Sequence, residues 1–295
     1  MNYRHIYHAG NFGDVFKHIL LIDIIRSLCR KEKPFAVLDT HAGAGIYDLQ
    51  APEARKKSEF VGGLAKIMGA TDAPEPVARY LKIVRDFDTS ETPRRNSPAS
   101  LDPSEHHPDA PRCYPGSPAL VAAVARKNDR LILVEKQPAV AAELRRGLKR
   151  DTRAVVHEMD GYNAVKAFVP PTEARGMVLI DPPYEQEGEY EKIYQSLEIG
   201  MRRWRQGTFC VWYPIKEPGA HEALMDRVRE SRWSEACRVE IRVRPAVDVK
   251  SLVGCGLLVV NPPWGFSDTV KSVCPWLINR LAHPGSGRWS LERLS

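Results

Sequence analysis

Four short strand-like runs in this chain each end in a carboxylate, and that pattern leaves few folds open. Phe35–Leu38 ends in Asp39, Leu131–Val134 in Glu135, Ala154–Met159 in Asp160, and Met177–Ile180 in Asp181. Further strands are expected at 208–213, 239–244 and 256–260, giving seven. Helices are predicted between them from apolar spacing near the helical period. They cover about 14–33, with Asp14 as cap, and 119–126, 138–149, 162–168, 190–205 and 221–232. Strands alternating with helices require a mainly parallel sheet with right-handed crossovers, an α/β fold. Such sheets bind ligands beyond the carboxyl ends of their strands. An acidic rim there suits a ligand rich in hydroxyls and amino groups.

The 295 residues allow one large α/β domain or two small ones. A core with an N-terminal arm is expected over 1–50 and 113–283. A helical insertion is expected over 51–112, with Phe60, Leu64, Ile67, Val77, Leu81 and Val84 at helical spacing. Residues 88–112 are dense in Pro, Ser, Asp and Thr and read as a solvated loop. Residues 284–295 read as a tail. The formal net charge of +6 favours a polyanionic partner without requiring one. The six cysteines show no C-x-x-C spacing, so they read as buried thiols of a reducing compartment. No leader and no membrane span are expected, and the cytoplasm is the default. A monomer is expected.

The sharpest chemistry lies in Asp181-Pro182-Pro183-Tyr184. Adenine's exocyclic amine is a poor nucleophile because its lone pair is delocalised into the ring. Asp181 and the Pro182 carbonyl can accept its two hydrogens and draw the nitrogen toward a tetrahedral shape. Tyr184 can stack on the base. Prolines carry no N–H, so the local surface is rich in acceptors.

Gly43 and Gly45 let backbone approach a ligand closely. A dinucleotide fingerprint would need a third glycine where Asp48 stands, so that match fails. S-adenosylmethionine fits better, with Glu135 on the ribose hydroxyls and Asp160 on the adenine amine. Near the amino terminus, Lys17 and His18 can meet the cofactor carboxylate, and Tyr3 or His5 can touch the target base. No H-e-x-x-H type spacing occurs there, so no metal is expected. Arg4, Arg55, Lys56, Lys57, Arg202, Arg203 and Arg205 are candidates for phosphate contacts. A second tetrad, Asn261-Pro262-Pro263-Trp264, follows a later strand and reads as structural.

These residues carry a family resemblance. The chain resembles the bacterial large-subunit ribosomal RNA adenine methyltransferases of the J type. The matching stretches are Tyr3-Arg4-His5, His8–Asn11, Asp14, Lys17-His18, Leu38–Gly45, Tyr114–Pro118, Asp160-Gly161, Leu179–Tyr184, Trp212–Pro214 and Asn261–Trp264. The resemblance implies a Rossmann-like methyltransferase core with a helical insertion after the first strand. It implies a cofactor site at Lys17, His18, His41, Ser117, Glu135, Asp160 and Gly161, with Asp181 catalytic. It also implies ribosomal RNA as substrate; DNA adenine or protein glutamine are the alternatives the tetrad allows. The chain departs from the family pattern at 88–112, which is longer and more polar, and at Lys136-Gln137.

Overall fold

The computed structural model of the chain describes residues 4–89, 111–216, 219–231, 233, 235–245 and 252–295. Its strands are β1 (Ala36–Asp39), β2 (Ile46–Asp48), β3 (Cys113–Pro115), β4 (Arg130–Glu135), β5 (Ala154–Glu158), β6 (Gly176–Ile180), β7 (Thr208–Ile215), β8 (Ala236–Arg242), β9 (Gly254–Val260) and β10 (Arg288–Arg293). Its α-helices are α1 (Phe12–Cys29), α2 (Pro52–Lys57), α3 (Ala65–Met68), α4 (Glu75–Thr89), α5 (Ser117–Val124), α6 (Pro138–Gly147), α7 (Gly161–Phe168), α8 (Glu189–Arg203), α9 (Glu222–Glu230) and α10 (Phe266–Leu281).

The main sheet has the order β10-β8-β9-β7-β6-β1-β4-β5. The block β7-β6-β1-β4-β5 is parallel, whereas β9 runs antiparallel to both β7 and β8. Side chains alternate across it with the period of two that a strand imposes. Val37, Leu131, Leu133, Met177 and Leu179 join one buried cluster with α1, α5 and α10. Ala36, Leu38, Ile132, Val134, Val178 and Ile180 join the other, with α7, α8 and α9.

The main sheet has eight strands, not the seven the sequence pattern predicts. Arg288–Arg293, within the expected tail, pairs antiparallel with β8 along its whole length. It lacks an apolar run because it is an edge strand held by its ladder and by charge. Glu292 accepts from Arg229 and Arg238 at 2.8 and 2.6 Å. The helix near the start is also capped differently. Asn11, not Asp14, is the N-cap, its side chain accepting from Asp14 N at 2.9 Å. Helix α10, which the sequence pattern left unassigned, carries Pro275 in its interior.

A two-stranded ribbon, β2 with β3, closes the base of the excursion between β1 and β4. Phe60, Leu64, Ile67, Val77, Tyr80, Leu81 and Val84 of that excursion lie in the same buried cluster as α1. The expected insertion therefore shares its core with the main body. Most of the polar loop expected at 88–112 lies outside the described residues.

The direction of β9 decides the second tetrad. Because β9 is antiparallel, Asn261 emerges at the rim where the parallel strands begin, opposite the rim where Asp181 emerges. Asn261 holds φ 53° there. Its Nδ2 donates to the carbonyls of Arg205 and Gly207, each at 2.8 Å. Its carbonyl accepts from Thr208 Oγ1 at 2.9 Å. Asparagine tolerates this left-handed backbone better than alanine does. Asn261→Ala should cost about 1–3 kcal/mol, from two freed carbonyls and a strained backbone. Chemical denaturation of the variant measures this; an unchanged midpoint would show that the asparagine does not hold the turn.

Candidate functional site

The four carboxylates end or closely follow strands that lie side by side. In the order β6-β1-β4-β5, their ends bring Asp181, Asp39, Glu135 and Asp160 to one rim. The chain passes from β1 to β4 on one side and reaches β6 on the other, so the switch point lies between Asp39 and Asp181.

Asp39 is fully buried and accepts from Ser117 Oγ at 2.7 Å. Burial pushes its pKa up to about 6; the Ser117 bond opposes this and nearby Asp181 adds to it. Thr40 Oγ1 donates to Leu179 O at 2.9 Å and so ties β1 to β6. It therefore accepts from His41 Nδ1, 2.8 Å away. Burial lowers His41 to about 4, so its ring is neutral near pH 7. Gly161 fits beneath this turn only because it has no side chain: a Cβ would stand 2.2 Å from Thr40 O.

Glu135 shapes the glycine loop. It accepts from Gly43 N at 3.0 Å and Gln137 N at 2.8 Å, and burial raises its pKa. Gly43 has φ 63°, and a Cβ there would meet the Tyr47 hydroxyl at 2.3 Å. Asp160 caps α7 through Tyr162 N at 3.0 Å and pairs with Lys136 at 2.9 Å. Burial pushes Asp160 upward, but the Lys136 contact and backbone donors outweigh it and the pKa is lowered. The departure at Lys136 thus lands on a predicted site carboxylate. Both partners are partly exposed, so this pair is weak and can open.

Helix α1 supplies the other side of the site. Lys17 Nζ lies 2.6 Å from Asp181 and 2.9 Å from Asp14. Burial alone would lower the Lys17 pKa, yet Asp14 and Asp181 raise it well above its ordinary value, so it stays charged. Asp14 also accepts from Gly10 N at 3.0 Å and lies 2.9 Å from His5 Nε2. His5 is thereby held within the arm, and Arg4 is exposed and paired with Glu53 at 3.2 Å. Tyr3 lies outside the described residues. His18 Nδ1 meets the Tyr114 hydroxyl at 2.7 Å. Burial and Lys17 hold its pKa well below the ordinary value, and its buried Nε2 has no partner among the described residues.

After β6, Pro182 is buried and Tyr184 adopts φ 54°. The Tyr184 hydroxyl donates to Trp212 O. Its ring lies 5.3 Å from Tyr190 and 6.0 Å from Trp212, with Trp212 edge-on. Trp212 in turn has Lys17 above its ring at 5.7 Å. So the structure brings Lys17, Asp39, His41, Gly43, Ser117, Glu135, Asp160, Gly161, Asp181 and Tyr184 to one rim. Asp14, Tyr114 and Trp212 act behind them, and residue-type reasoning gave those three no site role. Their only advance signal was membership of the Asp14, Tyr114–Pro118 and Trp212–Pro214 stretches.

The rim suits a nucleoside that carries an amino acid. It offers carboxylates for hydroxyls and amines, glycines where backbone must come close, and a buried His18 nitrogen, unpartnered among the described residues, beside a charged lysine. Comparison with known proteins gives the family. Residues 32–295 match the family model described as "Ribosomal RNA large subunit methyltransferase D, RlmJ". The chain belongs to this family. It is 34% identical over 292 residues to "Ribosomal RNA large subunit methyltransferase J" of Haemophilus influenzae, covering 99% of this chain and 98% of that one. It is 34% identical over 287 residues to the protein so named in Escherichia coli, covering 97% and 96%. A crystal structure of a protein from Legionella pneumophila superposes with TM-score 0.84 at 30% identity, covering 97% of this chain and 98% of that one. The chain is thus a methyltransferase with the expected α/β fold. No helix among the described residues is long and apolar enough to cross a membrane.

Buried Asp39 and partly exposed His41 oppose each other in pH dependence at this rim. Asp39, raised from 3.8 to about 6, binds a proton more tightly folded than unfolded. It contributes stability below its unfolded pKa and loses it as pH rises to about 6. His41, lowered from 6.5 to about 4, has the reverse sign and favours folding as pH rises through that window. A comparison of variants separates them. Asp39→Asn should gain stability relative to wild type as pH rises from 4 to 7, in thermal melts of the unliganded protein. A constant difference over that window would mean that Asp39 titrates normally.

Proposed function

We propose that this chain methylates the exocyclic amine of an adenine in large-subunit ribosomal RNA, with S-adenosylmethionine as methyl donor. The observation that carries this is Asp181-Pro182-Pro183-Tyr184 emerging at the switch point beside Asp39, with the Tyr184 ring held by Trp212. When bound, S-adenosylmethionine supplies a methyl group on a positively charged sulfur. Lys17 and His18 would hold its carboxylate, Glu135 its ribose and Asp160 its adenine. His41, Gly43, Ser117 and Gly161 would shape the pocket around it.

On the substrate side, Asp181 accepts one amine hydrogen and the Pro182 carbonyl the other. Tyr184 stacks on the base, and its anchored hydroxyl fixes the ring's tilt. Tyr3, Arg4 and His5 of the arm meet the flipped base and its phosphate; flipping is needed because the amine is otherwise stacked or paired. Held by these two acceptors, the nitrogen would present its lone pair to the methyl group that bound S-adenosylmethionine supplies. The nitrogen then sheds one proton, and Asp181 is the acceptor already bonded to it. Asp181 exchanges Lys17 for the amine, and Asp14 keeps the ammonium paired meanwhile. Much of the acceleration comes from alignment of nitrogen, methyl and sulfur.

Labelled S-adenosylmethionine offered with large-subunit rRNA, genomic DNA and cell protein in parallel tests this reading. Label should enter the rRNA and be released as N-methyladenosine. Asp181→Ala should lower kcat by at least about a hundredfold, in line with loss of a group that binds the reacting atoms. Cofactor affinity of that variant should stay close to wild type. Label only in DNA or protein, or full turnover by Asp181→Ala, would refute the proposal.

A further inference from the structure

Trp264 is 85% exposed, far more than any other large apolar side chain among the described residues. Asn261 of the same tetrad has a structural task, but that task does not need an indole. Pro262 and Pro263 stiffen the backbone ahead of Trp264. Gly265 follows at φ 86° and leads into α10. The ring is thus held outward on a rigid turn, at the rim opposite the methyl-transfer site.

The surroundings of that ring are basic. The Arg30 guanidinium lies over it at 5.8 Å. Lys31 and Lys33 follow Arg30, where α1 ends at the same rim. Arg202, Arg203 and Arg205 stand where α8 ends, and the Arg205 carbonyl is bonded by Asn261. All of these are exposed. Arg30, Lys31, Lys33, Arg202 and Arg205 take part in no ion pair among the described residues, although the acids Glu32, Glu235 and Asp268 are interspersed. Cations at the ends of α1 and α8 suit the helix dipoles. That accounts for the charge but not for a bare indole among it.

We propose that Trp264 and the basic residues around it form a second RNA-docking surface, on which an unpaired base stacks while Arg30, Lys31, Lys33 and Arg205 meet phosphates. Basic side chains around an exposed aromatic platform are the combination that holds single-stranded nucleic acid without reading its sequence. The occupant is a strand of the same large-subunit rRNA remote from the target adenine, so the proposal rests on the substrate reading above. The sequence-selected basic residues divide accordingly. Arg4 and Lys57 lie with the arm and excursion, whereas Arg202, Arg203 and Arg205 lie at the far rim.

The test uses the full chain and naked large-subunit rRNA. Trp264→Ala should weaken RNA binding in a filter assay by about tenfold, the size of one lost base stack. KM for rRNA should rise by the same factor, with kcat and S-adenosylmethionine affinity unchanged. Trp264→Phe should restore most of the affinity, because the stacking face remains. Arg30→Gln should reduce the slope of log affinity against log salt by about one. RNA affinity of Trp264→Ala within about twofold of wild type would overturn the proposal. So would a loss seen only with protein-bearing ribosomal particles, which would point to a protein partner. Binding is read without turnover, so the two readings separate. Trp264-dependent binding without methyl transfer would retire the proposed substrate and support this surface. Methyl transfer indifferent to Trp264 would do the reverse.

Discussion

A lysine buried between two aspartates organises this protein. Lys17 belongs to a helix that is interior over nearly all its length, and it reaches both Asp14 on that helix and Asp181 at the end of β6. Removing Lys17 would cost about 3–5 kcal/mol, because Asp14 and Asp181 would be left facing each other without a counter-ion in a poor solvent. The contact therefore fixes how far α1 can slide along the sheet. Through Asp14 it also holds Gly10 and His5, and with them the start of the chain. The residue that must later face a substrate is thus kept in position by a counter-ion that has somewhere else to go.

What the sequence made legible was governed by short-range rules. A strand that alternates or runs apolar and then stops at an acid is visible because its side chains obey a period of two. The row Asp181, Asp39, Glu135, Asp160 needed only the crossover rule to assemble. Asp14 was misread because a helix start offers two good caps, Asn11 and Asp14, and local rules cannot rank them. What distinguishes Asp14 is Lys17 and, through it, Asp181, whose bond to Lys17 spans 164 residues. The ribbon strands β2 and β3 have three residues each, too few to show a period. Helix α10 was hidden by its internal proline, and β10 by its polar composition. The Trp212 carbonyl that anchors Tyr184 is backbone, and no residue type advertises it.

The two proline tetrads show how little a motif says without a direction. Both follow apolar strands and both end in an aromatic ring. One strand is parallel to the core of the sheet and the other is reversed, so their products face opposite ends of the molecule. In one, the aromatic hydroxyl is tied down and the acid faces a charged lysine. In the other, the amide closes a turn and the indole is left in solvent.

The ribbon of β2 and β3 has one further implication. It brings the two ends of the long excursion together before the chain returns to α5. Phe60, Leu64, Val77 and Leu81 between those ends pack on the main body, and the ring closure has already been made at the base. Lengthening such a segment is cheap, since doubling a flexible loop adds only about 0.6 kcal/mol of closure entropy. Asp39 and Ser117 sit just outside that base and bond to each other. The chain can thus be spliced with added sequence a few residues from its most sensitive contacts while the cofactor rim keeps its dimensions.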